Sequence, residues 1–218
     1  MAQDVPSRQL IAAGTRLGPV PLVPEIRLHL AGDPISLWQR TEEDSGRTGL
    51  DPPFWAFAWA GGQALARYVL DNPDVVAGRD VIDFASGSGL VAIAAAKAGA
   101  ARVLAADIDG FCGAALDLNA AANGVAVEFT QANLLDEPPP AWAGVILAGD
   151  ICYEKPLAER VMAWLAAARA AGATVLIGDP GRSYFPRTGL TKVAEYQVAT
   201  TRELEDMEVK KTAVWTLP

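Results

Sequence analysis

Apolar positions recur along this chain in two rhythms. Short apolar runs stand at 81–82, 103–106, 143–148 and 174–177, each closed at once by Asp or Gly. Ala-rich stretches with helical spacing lie between them at 90–98, 111–123 and 157–170, and a further helical pattern runs over 63–70. Brief buried strands alternating with helices of about a dozen residues predict βα units and a parallel sheet. A short run at 127–130 adds one more strand, and the prolines at 138–140 make a stiff connector into the run at 143–148. Past 190 the rhythm changes. Residues 192–200 and 209–217 are β-patterned with no helix between them, which predicts a carboxyl-terminal hairpin. Near the amino end, Glu25-Ile-Arg-Leu-His-Leu30 alternates as a strand with His29 on its polar face, read as structural. Residues 41–49 are polar, charged and Gly-bearing, and predict a mobile loop that orders on substrate. The expectation is one domain over 1–218, with 1–50 an extension and 51–218 the core.

Composition narrows the class. The hydrophobic fraction of 51% is swollen by alanine, and no stretch reaches the roughly 18 uninterrupted apolar residues of a membrane helix. The opening Met-Ala-Gln-Asp-Val-Pro has neither a basic leader nor an apolar run, so a cytoplasmic protein is expected. In that compartment Cys112 and Cys152 are expected as reduced thiols, and a single histidine implies no metal. A formal charge of −8 argues against nucleic acid as a partner and mildly favours a basic one through steering. A monomer is expected.

The chemistry gathers at Val-Ile-Asp-Phe-Ala-Ser-Gly-Ser-Gly, residues 81–89, where a strand breaks into a Gly-rich loop before a helix. Two cofactor classes compete for such a loop. Gly87-Ser-Gly89-Leu-Val-Ala92 satisfies the dinucleotide fingerprint, in which backbone N–H groups meet a pyrophosphate. Asp83 stands four residues before the first glycine, and a carboxylate there repels phosphate but attracts an ammonium. The pattern Asp-x-x-x-Gly-x-Gly resembles motif I of the class I S-adenosylmethionine-dependent methyltransferases. That resemblance implies a cofactor seat built from Asp83, Ala85, Ser86, Gly87, Ser88 and Gly89.

Asp107 follows Asp83 by 24 residues, close to the interval of about 20 at which an acid meets ribose hydroxyls. Ile108 is then placed against the adenine. In class I methyltransferases the turn after the third strand reads the adenine edge, which assigns Asn133 and Leu134. The stretch Asp51-Pro-Pro-Phe-Trp-Ala-Phe-Ala-Trp-Ala-Gly-Gly62 is the most aromatic in the chain. Trp59, beside two glycines, is the cofactor-side candidate, with cation–π attraction of about 0.5–2 kcal/mol available. Phe54, Trp55 and Phe57 are split between pocket and packing. Asp51-Pro-Pro-Phe54 also resembles the base-holding motif of DNA amino-methyltransferases, but nothing strand-like precedes it and the chain is acidic.

Asp150-Ile-Cys-Tyr153 matches the Asp/Glu-x-x-Tyr/Phe ending of the fourth strand in seven-β-strand protein-lysine methyltransferases. Together with the aromatic-Trp-Ala-Gly-Gly segment, Gly178-Asp-Pro-Gly-Arg182 and Val214-Trp215, it resembles the electron transfer flavoprotein β-subunit lysine methyltransferases over about residue 52 to the carboxyl end. The resemblance implies a Rossmann-like, mostly parallel seven-stranded sheet with a carboxyl-terminal antiparallel hairpin. It also implies S-adenosylmethionine as methyl donor with S-adenosylhomocysteine as product, and lysines of the flavoprotein β subunit as target. Asp150 is then expected to touch both cofactor and amine, and Tyr153 to wall the lysine channel. Asp179 and Arg182 are assigned to substrate contact. Two rivals share the same cofactor half: a small-molecule methyltransferase, and a non-catalytic binding protein acting as an assembly factor.

Overall fold

The computed structural model describes residues 4–32, 37–39, 42, 43, 49, 51–201 and 207–218. The loop expected at 41–49 lies, apart from residues 42, 43 and 49, outside the described residues. The chain opens with helix α1 (Asp4–Gly14) and a two-stranded antiparallel ribbon, β1 (Arg16–Val20) and β2 (Val23–Leu30). A 3-10 turn at Phe54–Ala56 leads into α2 (Ala60–Asp71). The alternating part follows as β3 (Asp80–Phe84), α3 (Leu90–Lys97), β4 (Arg102–Ala106), α4 (Gly110–Asn123), β5 (Glu128–Thr130), β6 (Val145–Gly149), α5 (Lys155–Ala170) and β7 (Thr174–Asp179). The hairpin β8 (Thr191–Ala199) and β9 (Val209–Thr216) closes the chain.

The seven strands β3 to β9 form one sheet in the order β5-β4-β3-β6-β7-β9-β8. Strands β3 to β7 run parallel, β9 runs antiparallel beside β7, and β8 pairs antiparallel with β9. This is the expected mostly parallel sheet with its terminal hairpin. Alternate residues of the central strands point to opposite faces. Val81, Val145, Leu147 and Leu176 pack with α2 and α3 on one side, and Ile82, Ile146, Val175 and Ile177 with α5 on the other. Both faces are covered, which is why these strands read as continuous apolar runs. Each large side chain fully buried here contributes roughly 1.5–3 kcal/mol. A third cluster joins Ile11 of α1, Trp55, Phe57 and the Cys112 to Ala115 face of α4, so the amino-terminal segment is packed onto the sheet's own helix. Cys112 and Cys152 are buried and unbridged.

Candidate active site

In a parallel sheet the carboxyl ends of all strands share one edge, and ligands gather there. The loop after β3 is the most contorted part of that edge. Ala85, Gly87 and Gly89 have φ of 54°, 50° and 78°, three left-handed residues within five. A Cβ on Gly89 would stand 2.3 Å from Leu116 Cδ1, so only glycine lets α4 close on the loop. Ser86 donates its N–H to Ala106 C=O at 3.1 Å, while its buried hydroxyl has no partner among the described groups. Gly87 N–H points to Asp107 Oδ2 at 2.9 Å, and Asp107 Oδ1 accepts from Asp109 N–H at 3.0 Å. The carboxylate of Asp107 thus ties the ends of β3 and β4 together.

Asp83 is 1% exposed and accepts Ala92 N–H of the first turn of α3 at 2.9 Å. It serves as a remote cap for a helix whose own N-cap, Gly89, has no side chain to offer. Burial, with a smaller push from Asp107, lifts its pKa to about 8.

The second half of the edge is built by close glycine contacts. A Cβ on Gly61 would lie 2.2 Å from Gly178 C=O and 2.6 Å from Asp150 Oδ2, and one on Gly178 would lie 2.1 Å from Gly61 C=O. The amino end of α2 therefore sits directly on the ends of β6 and β7. Asp150, at φ 57°, turns its carboxylate into that junction. Oδ2 accepts Gly62 N–H at 2.9 Å, and Oδ1 accepts Arg182 Nη2 at 2.6 Å and Nε at 3.1 Å. The Arg182 guanidinium also lies over the Trp59 ring, 5.6 Å from its centroid. Asp179 sets this up. Its Oδ1 accepts the N–H groups of Gly181 at 2.6 Å and Arg182 at 2.7 Å, fixing the turn that aims the guanidinium. Its Oδ2 is buried without a partner among the described groups, and burial raises its pKa to about 6.

The aromatics divide cleanly. Trp55, 1% exposed and stacked on Phe111, is core. Trp59 donates Nε1–H to Phe54 C=O at 2.9 Å and meets both Phe54 and Phe57 nearly edge to face. Phe54 and Tyr153 are exposed and 5.9 Å apart at the mouth. Burial, with help from Glu154, raises the Tyr153 pKa. Cys152, beneath it, is lifted to about 12 by burial and by Asp179 and Asp150.

A cleft of about 50 Å³ lies between the two halves, bordered by Trp59, Asp83, Ser86, Gly87, Gly149 and Asp150. None of its lining side chains is basic. A larger cavity of about 480 Å³ lies at the amino ends of β4 and β5 and contains none of these groups. The other expected residues lie outside the lining of the cleft, just past the carboxyl ends of β4 and β5. Ile108 is 69% exposed. Asn133 caps a short 3-10 turn, accepting Leu135 N–H at 3.2 Å and donating to Asp136 Oδ1 at 2.9 Å, with Leu134 half-buried behind it. His29 is half-buried with Nδ1 3.1 Å from Thr15 Oγ1. Sequence reasoning singled out Asp150 and Arg182 separately and did not foresee their pairing, nor the Gly61 and Gly178 contact, nor the left-handed Ala85.

Comparison with known proteins agrees with this architecture. A model of the ribosomal protein L11 methyltransferase family (PrmA) matches residues 63–170. The chain is 37% identical over 214 residues to the electron transfer flavoprotein beta subunit lysine methyltransferase of Xenopus laevis, covering 95% of this chain and 85% of that one. To the human protein of the same name it is 40% identical over 203 residues, covering 89% and 75%. Among solved structures, a ribosomal protein L11 methylase from Lactobacillus delbrueckii superposes with a TM-score of 0.51 at 20% identity, over 74% of this chain and 80% of that one. A magnesium protoporphyrin IX methyltransferase from Synechocystis with bound SAM gives 0.51 at 13% identity, over 72% and 78%. At such identities the last two establish the fold alone.

Proposed function

Since the chain belongs to the electron transfer flavoprotein β-subunit lysine methyltransferase family, we propose that it transfers methyl groups from S-adenosylmethionine to lysines of that β subunit. One observation supports the cofactor most. The cleft over the glycine loop is bordered by the carboxyl groups of Asp83 and Asp150, and the basic side chain beside it, Arg182, is paired with Asp150. The carboxyl of Asp83 offers a pyrophosphate no positive charge to meet, whereas opposite an ammonium it ionises, so a ligand carrying an ammonium and a sulfonium and no phosphate suits the cleft. When bound, that cofactor supplies a methyl group already activated on sulfur.

The residues present fit such a ligand. Asp83, kept neutral near pH 7 by burial, ionises once a cation stands opposite it. The unpaired Ser86 hydroxyl is a donor for a carboxylate, and Gly87 N–H becomes a second one once Asp107 turns to the ribose. Asp107, now turned to Gly87 N–H, has two oxygens for two ribose hydroxyls. Asn133, Leu134 and Ile108 would frame the adenine.

The target amine has to arrive without its proton, because only the free lone pair attacks. Burial among Trp59, Phe54 and Tyr153 disfavours the ammonium and lowers its pKa. Asp150 and Trp59 already hold one cation between them, the guanidinium of Arg182. In this reading the lysine nitrogen takes that place as the guanidinium withdraws, and Asp150 fixes its direction of approach. Alignment of this kind supplies on the order of 7–11 kcal/mol of a barrier. No metal is asked for, and a charge of −8 suits a lysine-bearing loop better than a nucleic acid. The reading places the protein in the cytoplasm as a monomer; no described helix is long and apolar enough to cross a membrane.

Incubation with radiolabelled S-adenosylmethionine and cell lysate tests the class of activity. Label in a protein band supports the reading. Label confined to small molecules points to the rival enzyme, and no label with intact cofactor binding points to a binding protein.

A further inference from the structure

The amino-terminal ribbon carried no recognisable chemistry in the sequence, yet its backbone is wired to the glycine loop through two amides on α4. Asn119 is fully buried. Its Oδ1 accepts His29 N–H at 2.7 Å and its Nδ2 donates to Ser88 C=O at 2.8 Å. One turn on, Asn123 Oδ1 accepts Arg27 N–H at 3.0 Å, and its Nδ2 donates to Arg27 C=O at 2.6 Å. Arg27 and His29 are alternate residues of β2, so their backbone groups face the same way. Two strand residues advance about 6.7 Å and four helical residues about 6 Å, which is why amides at i and i+4 match a strand edge. Leu116, one turn before Asn119, is the side chain that fills the space a Cβ on Gly89 would need. Helix α4 thus grips Ser88 and Gly89 from one side while resting on the ribbon with the other.

We propose that Asn119, seated against the backbone of the amino-terminal ribbon, is a positioning residue that holds the glycine loop in its cofactor-binding shape. The loop needs such a brace. Ala85 is left-handed without being glycine, a strained conformation that persists only when its surroundings fix it, and Gly87 and Gly89 bring the flexibility of glycine to the same turn. Ser88 C=O is the peptide oxygen between two of those residues, and releasing it frees the Ser88 to Gly89 peptide to turn. Asn119, seated by His29 N–H, then sets cofactor affinity from behind the loop. The inference rests on the reading that this loop seats S-adenosylmethionine.

Asn119→Asp keeps the size and the acceptor for His29 N–H but places an oxygen against Ser88 C=O. Asn123→Ala removes the bonds to Arg27 and leaves the loop contact in place. Two measurements separate them: amide hydrogen exchange of residues 85–92 in the cofactor-free protein, and calorimetric titration with S-adenosylhomocysteine. For Asn119→Asp, faster exchange over 85–92, about tenfold weaker binding and a raised KM for S-adenosylmethionine are expected, with kcat at saturating cofactor nearly unchanged. For Asn123→Ala, faster exchange over 23–30 with wild-type affinity is expected. Wild-type loop exchange and affinity in Asn119→Asp would overturn the proposal, as would an equal loss of affinity in Asn123→Ala, which would make the effect one of general stability. Should Asn119→Asp fail to fold, Asn119→Ala is measured the same way with the same outcomes. Failure of the wild-type protein to bind S-adenosylhomocysteine would sink the cofactor reading, and the exchange comparison would still decide the brace.

Discussion

Replacing Asp150 by asparagine separates what its charge does from what its shape does. The amide keeps the size, tolerates φ 57° and still accepts Gly62 N–H. What it loses is the negative charge facing Arg182. The two side chains are 10% and 18% exposed, so water screens the pair poorly. Loss of one charge-assisted bond costs about 1.5–3 kcal/mol. For a chain of this length each kcal/mol lowers Tm by about 2–4 °C, so a fall of roughly 3–12 °C is expected. Turnover suffers separately. If the carboxylate orients the target amine, kcat falls by roughly ten- to hundredfold before any misalignment is counted. Affinity for S-adenosylhomocysteine should change less, because Asp83 and the glycine loop are untouched. Thermal melting, calorimetry and methyl-transfer rates on one preparation measure all three. Arg182→Met completes the test by removing the guanidinium while leaving the carboxylate charged, and it should retain most of the turnover. Wild-type turnover in Asp150→Asn would refute the reasoning. So would a double variant no worse than Arg182→Met alone with both singles equally impaired, since Asp150 would then be only a counterion.

Two further outcomes follow from the geometry. The raised pKa of Asp83 means the folded state keeps a proton that the unfolded chain has lost above about pH 4, so this group lowers stability as pH rises toward 8, by up to about 1.4 kcal/mol per unit. Asp83→Asn keeps the acceptor for Ala92 N–H, and its Tm should exceed wild type most at pH 8, with the gap closing toward pH 4; a gap that does not vary with pH would contradict this. Gly61→Ala, whose Cβ meets Gly178 C=O and Asp150, should lose about 1–3 kcal/mol or more in urea unfolding together with turnover. Gly62→Ala, with nothing nearer its Cβ than 3.9 Å, should be close to neutral, and equal costs at the two sites would show that the tight junction is not the cause.

Much of the sheet was legible because each central strand is a short apolar run stopped by Asp or Gly at the ligand edge. The terminal hairpin was legible from β-branched runs lacking a helix between them. The ribbon was harder. In β1 only Leu17 and Val20 are apolar and Pro19 interrupts the pattern, and α1 gave no sign of the contacts that bury Ile11. Among site residues, the acids and glycines were visible as motifs because their spacing along one strand and loop is local. The partnership of Asp150 with Arg182 joins the ends of two neighbouring strands, and the Gly61 and Gly178 contact joins a helix to a strand far along the chain. Such contacts are set by sheet order, which periodicity does not encode. Asn119 and Asn123 were hidden for another reason: on a helix an asparagine is unremarkable until its partner strand is known.

The most direct measurement is the mass of the flavoprotein β subunit before and after incubation with this protein and S-adenosylmethionine. Methylation keeps the lysine's charge while removing N–H donors, so modified chains should gain multiples of a methyl mass, localised by peptide sequencing to exposed lysines. The account predicts that gain with the wild-type protein and its near absence with Asp150→Asn. An unchanged β-subunit mass, under conditions where another protein in the same lysate acquires methyl groups, would contradict the proposed target.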